Sequence, residues 1–362
     1  MWTESKLYRE DLETIVLDDT IPWDILKGTD VLVTGATGLI GSALVNALLY
    51  ANQIRKLGCR VHALVRNREK AECLFAKQKK ADLGLLIVEQ DVLSLNQYEK
   101  NIDYIIHGAS LTSSKSFVEE PVETIETAIQ GTTNLLKLAR EKKTKSFVYL
   151  STMEVYGTPT TDEPITEEHG TNLDTMHIRN SYPISKRMCE NLCACYAMEF
   201  QVNTKVVRLT QTFGAGADYQ DGRVFAEFVR CAVERHDIVL HTAGKTKRSY
   251  LYTADAVRAV LVVLLCGERA NVYNVANEKS YCSIYEMAQL VAKECAKGEI
   301  QVRCEVEKDL NRYGYMPELH MNLDTTKLKR LGWKPEYDLP EMFKRLYETF
   351  EIQAELGGKA GE

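Results

Sequence analysis

The stretch VLVTGATGLIG (31–41) leaves the chain few folds to choose from. A short apolar run ends at Gly35, and apolar residues at helical spacing begin at once, from Leu39 to Leu49. Gly35, Gly38 and Gly41 let the backbone turn tightly and approach a pyrophosphate closely, while the start of the helix offers unpaired N–H groups to an anion. A strand, a glycine turn and a helix in this order predict a dinucleotide pyrophosphate lying over Gly35, Thr37, Gly38, Leu39, Ile40 and Gly41.

The rest of the chain repeats the alternation. RVHALV (60–65), LLIVEQD (85–91), DYIIHGAS (103–110), SFVYLS (146–151) and TKVVRLT (204–210) read as strands, and 121–143 and 182–200 as helices. Short apolar strands alternating with helices predict an α/β fold, a Rossmann-type doubly wound parallel sheet. The expected organisation is an N-terminal extension (1–29) on the outside of the core, a dinucleotide-binding domain (30–209) that 247–277 re-enters, a smaller C-terminal α/β substrate-binding region (210–246 and 278–350) and a tail (351–362) whose last residues, GGKAGE, read as frayed.

Several partner classes are set aside. Lys+Arg 45 against Asp+Glu 51 gives a net charge of −6, a poor match to nucleic acid. The longest strongly apolar run, Ala259 to Cys266, is far short of the roughly 20 residues that span a bilayer, and the charged start lacks a leader's apolar core, so a cytoplasmic protein with no membrane partner is expected. Ten cysteines without a CxxC pair read as reduced thiols, and no metal site is expected.

The chemistry concentrates after the second to sixth strands, because ligands in open α/β sheets bind at strand C-terminal ends. The second strand ends in Arg66, where an acid would grip an adenosine ribose; an arginine could face a 2′-phosphate, so NAD and NADP both remain open. Asp91 and Val92 after the third strand and Ala109 after the fourth complete the expected cofactor contacts. His107 reads as structural. Tyr182 and Lys186 stand four apart on one helix face. Lys186 can hydrogen-bond a ribose and lower the tyrosine pKa, and the phenolate can then act as a base on a substrate hydroxyl. STMEVYG (151–157) places Thr152 to share that hydrogen bond and Glu154 as a second base or water-positioning carboxylate.

TGxxGxxG, the threonine after the fifth strand and YxxxK together resemble the extended short-chain dehydrogenase/reductase family, in its nucleotide-sugar epimerase/dehydratase branch, over about residues 30 to 340. Within that branch STMEVYG is most similar to the STSEVYG of UDP-glucuronate decarboxylases. Arg179-Asn-Ser-Tyr182 looks like their Arg-Ser-Cys-Tyr, and Asp221-Gly-Arg223-Val repeats their DGRV. Lys247-Arg248-Ser-Tyr matches the segment whose arginine serves the substrate.

The resemblance implies a tightly bound NAD(P), a nucleotide-diphosphate sugar as substrate, and a homodimer through helices 121–143 and 182–200. Thr152, Glu154, Tyr182 and Lys186 would be catalytic, and Arg179, Gln211, Arg223 and Arg248 would bind substrate. Oxidation of the sugar at C4 would come first. Decarboxylation of a uronate ranks ahead of 4,6-dehydration, and that ahead of 4-epimerisation. Gln211 departs from the family's asparagine. Met153 stands where dTDP-glucose 4,6-dehydratases carry the aspartate that protonates the leaving hydroxyl, which a thioether cannot do. Readings from other classes are an NADPH-dependent carbonyl reductase, suggested by Arg66, and a non-catalytic NAD(P)-binding sensor, which the intact Thr152, Tyr182 and Lys186 oppose.

Overall fold

The first strand, β1 (Asp30–Thr34), is buried at every residue, as a strand covered on both faces must be. It lies mid-sheet in the computed structural model, which describes residues 5–95, 97–111, 116–306 and 318–358. Its companions are β2 (Arg60–Val65), β3 (Leu85–Glu89), β4 (Tyr104–His107), β5 (Ser146–Thr152) and β6 (Thr204–Leu209). Then come β7 (Gln211–Phe213), β8 (Ile238–Leu240), β9 (Lys247–Tyr252) and β10 (Asn271–Val275), followed by β11 (Asn277–Ser283), β12 (Val302–Cys304) and β13 (His320–Met321). The main sheet is parallel throughout, in the order β10-β6-β5-β4-β1-β2-β3. That order is doubly wound and reverses between β1 and β4, the switch point where such sheets bind ligands.

The helices are α1 (Lys6–Val16), α2 (Leu39–Arg55), α3 (Arg68–Leu74), α4 (Ala76–Lys80), α5 (Ser116–Glu119) and α6 (Pro121–Lys142), then α7 (Ser181–Phe200), α8 (Val224–Glu234), α9 (Thr253–Cys266), α10 (Ile284–Glu294), α11 (Thr326–Lys329) and α12 (Leu339–Gly358). Their ends follow local chemistry. Pro121 opens α6, where a missing N–H costs nothing. Ser283 and Glu286 form a reciprocal capping box on α10. Pro183 is tolerated in α7 because that helix begins at Ser181.

Three expectations about organisation are made more specific by the structure. The N-terminal extension lies over α2 and α9 and sinks one face of α1 into the core. Tyr8, Leu12, Ile15, Val16, Trp23 and Leu26 are buried in the main core cluster, and Asp11 accepts hydrogen bonds from Arg345 of α12 at 2.8 Å and Tyr252 of β9 at 2.8 Å. Second, re-entry into the main sheet begins with α9 and β10; β9 instead belongs to a separate sheet, with β11 antiparallel on one edge and β7 and β13 parallel on the other. Third, α12 continues through the expected tail to Gly358; the remaining tail residues, 359–362, lie outside the described residues.

Candidate active site

The C-terminal ends of β1, β2, β4, β5 and β6 open into one cleft of about 1270 Å³, and all the residues expected to bind or react line it. At one end lies the glycine turn. Gly35 has φ +67°, and a Cβ there would stand 2.8 Å from the Gly108 backbone. A Cβ on Gly41 would stand 2.1 Å from the Gly35 carbonyl oxygen. Strand, turn and helix therefore meet more closely than any side chain allows. Gly38 caps α2, a 17-residue helix, with no side-chain hydrogen bond, so the first-turn N–H groups are left for an anion. This cradle fits a dinucleotide pyrophosphate.

Beyond the turn, Arg66, Asn67 and Lys70 line the far end of the cleft and are exposed. Asp91 Oδ1 accepts from the Leu93 N–H at 2.8 Å, and Asn134 of α6 donates to the Val92 and Leu93 carbonyls at 2.9 Å each. The loop that would face an adenine is thus tied to α6. The Ala109 N–H donates to Thr34 Oγ1 at 3.1 Å. Thr34 Oγ1 lies 2.8 Å from His107 Nδ1, and His107 Nε2 lies 3.1 Å from Thr132 Oγ1. Burial first, then the Lys186 charge, push the His107 pKa down to about 3. A neutral imidazole, held from both sides, braces the floor of the cleft.

The reactive end is built on β5 and α7. Thr152 Oγ1 accepts from the Glu154 N–H at 3.2 Å and caps the short turn Met153–Tyr156. Tyr182 is buried, and its ring stacks on Phe117 with centroids 4.2 Å apart and planes within 9°. Burial, reinforced by the Glu154 charge, raises the Tyr182 pKa well above that of a free phenol, while hydrogen bonding with Thr152 pulls the other way. Lys186 Nζ donates to the Leu150 carbonyl at 2.8 Å and lies 5.7 Å from the Tyr182 ring centre. Desolvation lowers its own pKa to about 8. The expectation that Lys186 depresses the tyrosine is therefore outweighed in this arrangement. Desolvation dominates both groups, and the phenol needs further positive charge nearby to ionise at neutral pH.

The cationic residues differ in their availability. Arg223 is engaged: it pairs with Asp221 at 2.6 Å, donates to the Thr212 carbonyl at 3.2 Å and lies over the Phe225 ring. Arg248 and Gln211 meet because β7 and β9 pair in register. Gln211 stands opposite Tyr250, and Arg248, two residues earlier, shares that face. Arg248 Nη1 reaches Gln211 Oε1 only at 3.4 Å, and its Nε is buried without a partner. Arg179 Nη2 pairs with Glu154 Oε2 at 3.0 Å, and its Nη1 is also buried without a partner. Met153 is buried and its sulfur accepts from Thr210 Oγ1 at 3.3 Å, so it offers no proton to the cleft.

Sequence reasoning missed Phe117, Lys70 and the polar wall of Asn172, His177 and Asn180. Lys70 had a signal, a second cation four residues beyond Arg66, in the first turn of α3. Phe117 had none, because its contact with Tyr182 is tertiary. Among the described residues no group of three or more His, Cys, Asp or Glu side chains could hold a metal ion.

Known proteins are similar to this chain in sequence and in fold. The chain is 28% identical over 326 residues to UDP-glucuronic acid decarboxylase 2 of Arabidopsis thaliana, covering 90% of this chain and 68% of that protein. It is 29% identical over 304 residues to UDP-N-acetyl-alpha-D-glucosaminuronate decarboxylase of Bacillus cytotoxicus, covering 83% and 90%. Its fold matches a mutant UDP-glucuronic acid 4-epimerase from Bacillus cereus, solved with UDP-4-deoxy-4-fluoro-glucuronic acid and NAD, at a TM-score of 0.76 and 19% identity, over 90% of this chain and all of that one. A family model matches residues 31–276, which run from β1 through β10 and carry the glycine turn, Thr152, Tyr182 and Lys186. With that match over most of its length, the chain belongs to the NAD dependent epimerase/dehydratase family.

Proposed function

We propose that the protein oxidises C4 of a UDP-linked uronic acid and releases its C6 carboxyl group as carbon dioxide. The observation that carries this reading is the pair of guanidinium groups, Arg179 and Arg248, each with a buried N–H lacking a partner and each lining the cleft that holds Tyr182. Buried donors without partners are costly, and a ligand with more than one anionic group would satisfy them. A diphosphate joined to a uronate is such a ligand. The neighbouring Met153 in place of an acid speaks against 4,6-dehydration.

In this reading Gly35, Thr37, Gly38, Leu39, Ile40 and Gly41 hold the pyrophosphate of NAD, Asp91, Val92 and Ala109 border its adenine and nicotinamide halves, and Lys186 holds the nicotinamide ribose. When bound, the nicotinamide supplies a hydride acceptor that also returns the hydride, and a positive charge beside the phenol. Tyr182 takes the C4 hydroxyl proton, with Thr152 sharing the hydrogen bond. The C4 ketone makes the C6 carboxylate a β-keto acid, which loses carbon dioxide readily. Glu154 organises the ring near C5, Arg248 and Gln211 bind the diphosphate side, and Arg223 shapes the wall.

Arg66 and Lys70 give the adenosine end two cations that a 2′-phosphate would also satisfy. The mass of the nucleotide released on denaturation therefore distinguishes NAD from NADP. Incubating the purified protein with UDP-, dTDP-, GDP- and CDP-sugars, with mass spectrometry as readout, tests the reaction. Loss of carbon dioxide from UDP-glucuronate supports it. Loss of water from a 6-hydroxy sugar, or an epimer of unchanged mass, replaces it.

The same reading includes a homodimer. Val122 and Ile125 on α6 and Met188 and Met198 on α7 are exposed, with Val122 at 65% and Met198 at 72%, an apolar face that a second copy would cover. Ten unpaired cysteines fit a reducing compartment, the cytoplasm. No helix among the described residues is long and apolar enough to cross a membrane.

A further inference from the structure

Glu154 and Arg179 neutralise each other inside the cleft, although both line the space where a sugar would lie. Glu154 Oε2 and Arg179 Nη2 are 3.0 Å apart, with side chains 30% and 12% exposed. Arg179 lies on the turn Ile178–Asn180 just before α7, and its guanidinium carbon sits 4.7 Å above the Phe117 ring. Phe117 stacks in turn on Tyr182. Guanidinium, phenyl and phenol thus form one stack that fixes Arg179 relative to the reacting tyrosine. A guanidinium presents five N–H donors in a rigid fork suited to a carboxylate. Here one arm holds Glu154, and the other, Nη1, is buried with no partner.

We infer that Arg179 is the receptor for the C6 carboxylate of the substrate, and that an arriving carboxylate displaces Glu154 from it. This rests on the uronate reading above and assigns its acidic group to one residue. A second carboxylate on the open arm would stand beside the first, and two carboxylates on one guanidinium repel in a partly desolvated cleft. The substrate's carboxylate is held in place by the rest of the nucleotide sugar, so Glu154 is the one that leaves. A neutral 6-hydroxymethyl group lacks the charge to do this. The Glu154–Arg179 pair thereby separates 6-carboxy from 6-hydroxy sugars, and Glu154 is released toward the ring only when an acidic sugar is bound.

The test is calorimetric binding of UDP, UDP-glucuronate and UDP-glucose to the holoenzyme and to the Arg179→Gln and Glu154→Gln variants. The wild type should prefer UDP-glucuronate to UDP-glucose at least tenfold. Arg179→Gln should level that preference. Glu154→Gln removes the competing anion and should raise the glucuronate-to-glucose affinity ratio several-fold, whereas a purely structural role for Glu154 would lower it or leave it unchanged. A preference that survives Arg179→Gln, or a ratio that falls or stays unchanged in Glu154→Gln, overturns the assignment to Arg179 while leaving the uronate reading standing. Failure of the wild type to bind UDP or either sugar removes the underlying reading, and this inference with it.

Discussion

Replacing Lys205 by methionine should stabilise the protein, and by an amount that depends on pH. Lys205 lies on β6 at 2% exposure. Its ammonium donates to Ser146 Oγ at 2.7 Å, and Ser146 Oγ itself donates to the Leu264 carbonyl at 2.6 Å. No carboxylate pairs with it among the described residues, and burial lowers its pKa from 10.5 to about 8. At pH 7 the lysine is charged in both the folded and unfolded chain. The folded state then carries a penalty of about 3 kcal/mol, the fall from 10.5 to about 8 taken at 1.36 kcal/mol for each tenfold loss of proton affinity.

The sign follows from the direction of the shift. Between pH 8 and 10.5 the unfolded chain binds the proton that the folded chain releases, so wild-type stability rises with pH across that window. By pH 9.5 the penalty has fallen to about 1.4 kcal/mol. Methionine matches lysine in volume, and Ser146 keeps its bond to Leu264. With an unfolding entropy of about 2.1 cal/mol/K per residue, the variant should melt about 4 °C above wild type at pH 7 and about 2 °C above it at pH 9.5. Differential scanning calorimetry of both proteins at the two pH values reads this, and turnover should be retained because Lys205 does not line the cleft. No gain at pH 7, or the same gain at both pH values, refutes the desolvation argument. It would point instead to water reaching the ammonium through the cavity of about 180 Å³ that Lys205 shares with Glu190 and Asn271.

Lys186→Met relieves a similar burial penalty, since that pKa is also about 8, but it should lose turnover by at least ~100-fold, the scale of a lost acid–base group; a stopped assay on UDP-glucuronate checks this. Tyr182→Phe should lower turnover by about 10²–10⁴ with UDP binding intact, and a variant that turns over at the wild-type rate removes the proposed chemistry. In Gly41→Ala the new Cβ would stand 2.1 Å from the Gly35 carbonyl oxygen, so the turn must open; bound nucleotide per protein chain, read by absorbance after denaturation, should fall well below that of wild type. Asp11→Ala leaves Arg345 without its closest carboxylate, and truncating one partner of a buried pair costs about 3–5 kcal/mol. A lowered melting temperature would show the N-terminal helix to be integral, and an unchanged one would make it dispensable.

The amino-acid order alone decided what repeats over short distances. The buried strands of the main sheet, the glycine turn, and Tyr182 and Lys186 on one face of α7 all follow from patterns spanning a few residues, since periodicity and turn chemistry act locally. Tertiary structure decided everything that depends on distant partners. The register of the second sheet is set by partners up to 73 residues away, as with His320 opposite Lys247. The burial of α1 depends on surfaces contributed by α2 and α9, and on Tyr252 and Arg345 meeting Asp11. The pairing of Glu154 with Arg179, the stacking of Phe117 on Tyr182 and the desolvation that governs Tyr182 and Lys186 arise because folding brings charges and rings together in a medium from which water is excluded. The side chains present in the cleft can be read from the linear order; their charge state and free donors depend on what surrounds them once the chain is folded.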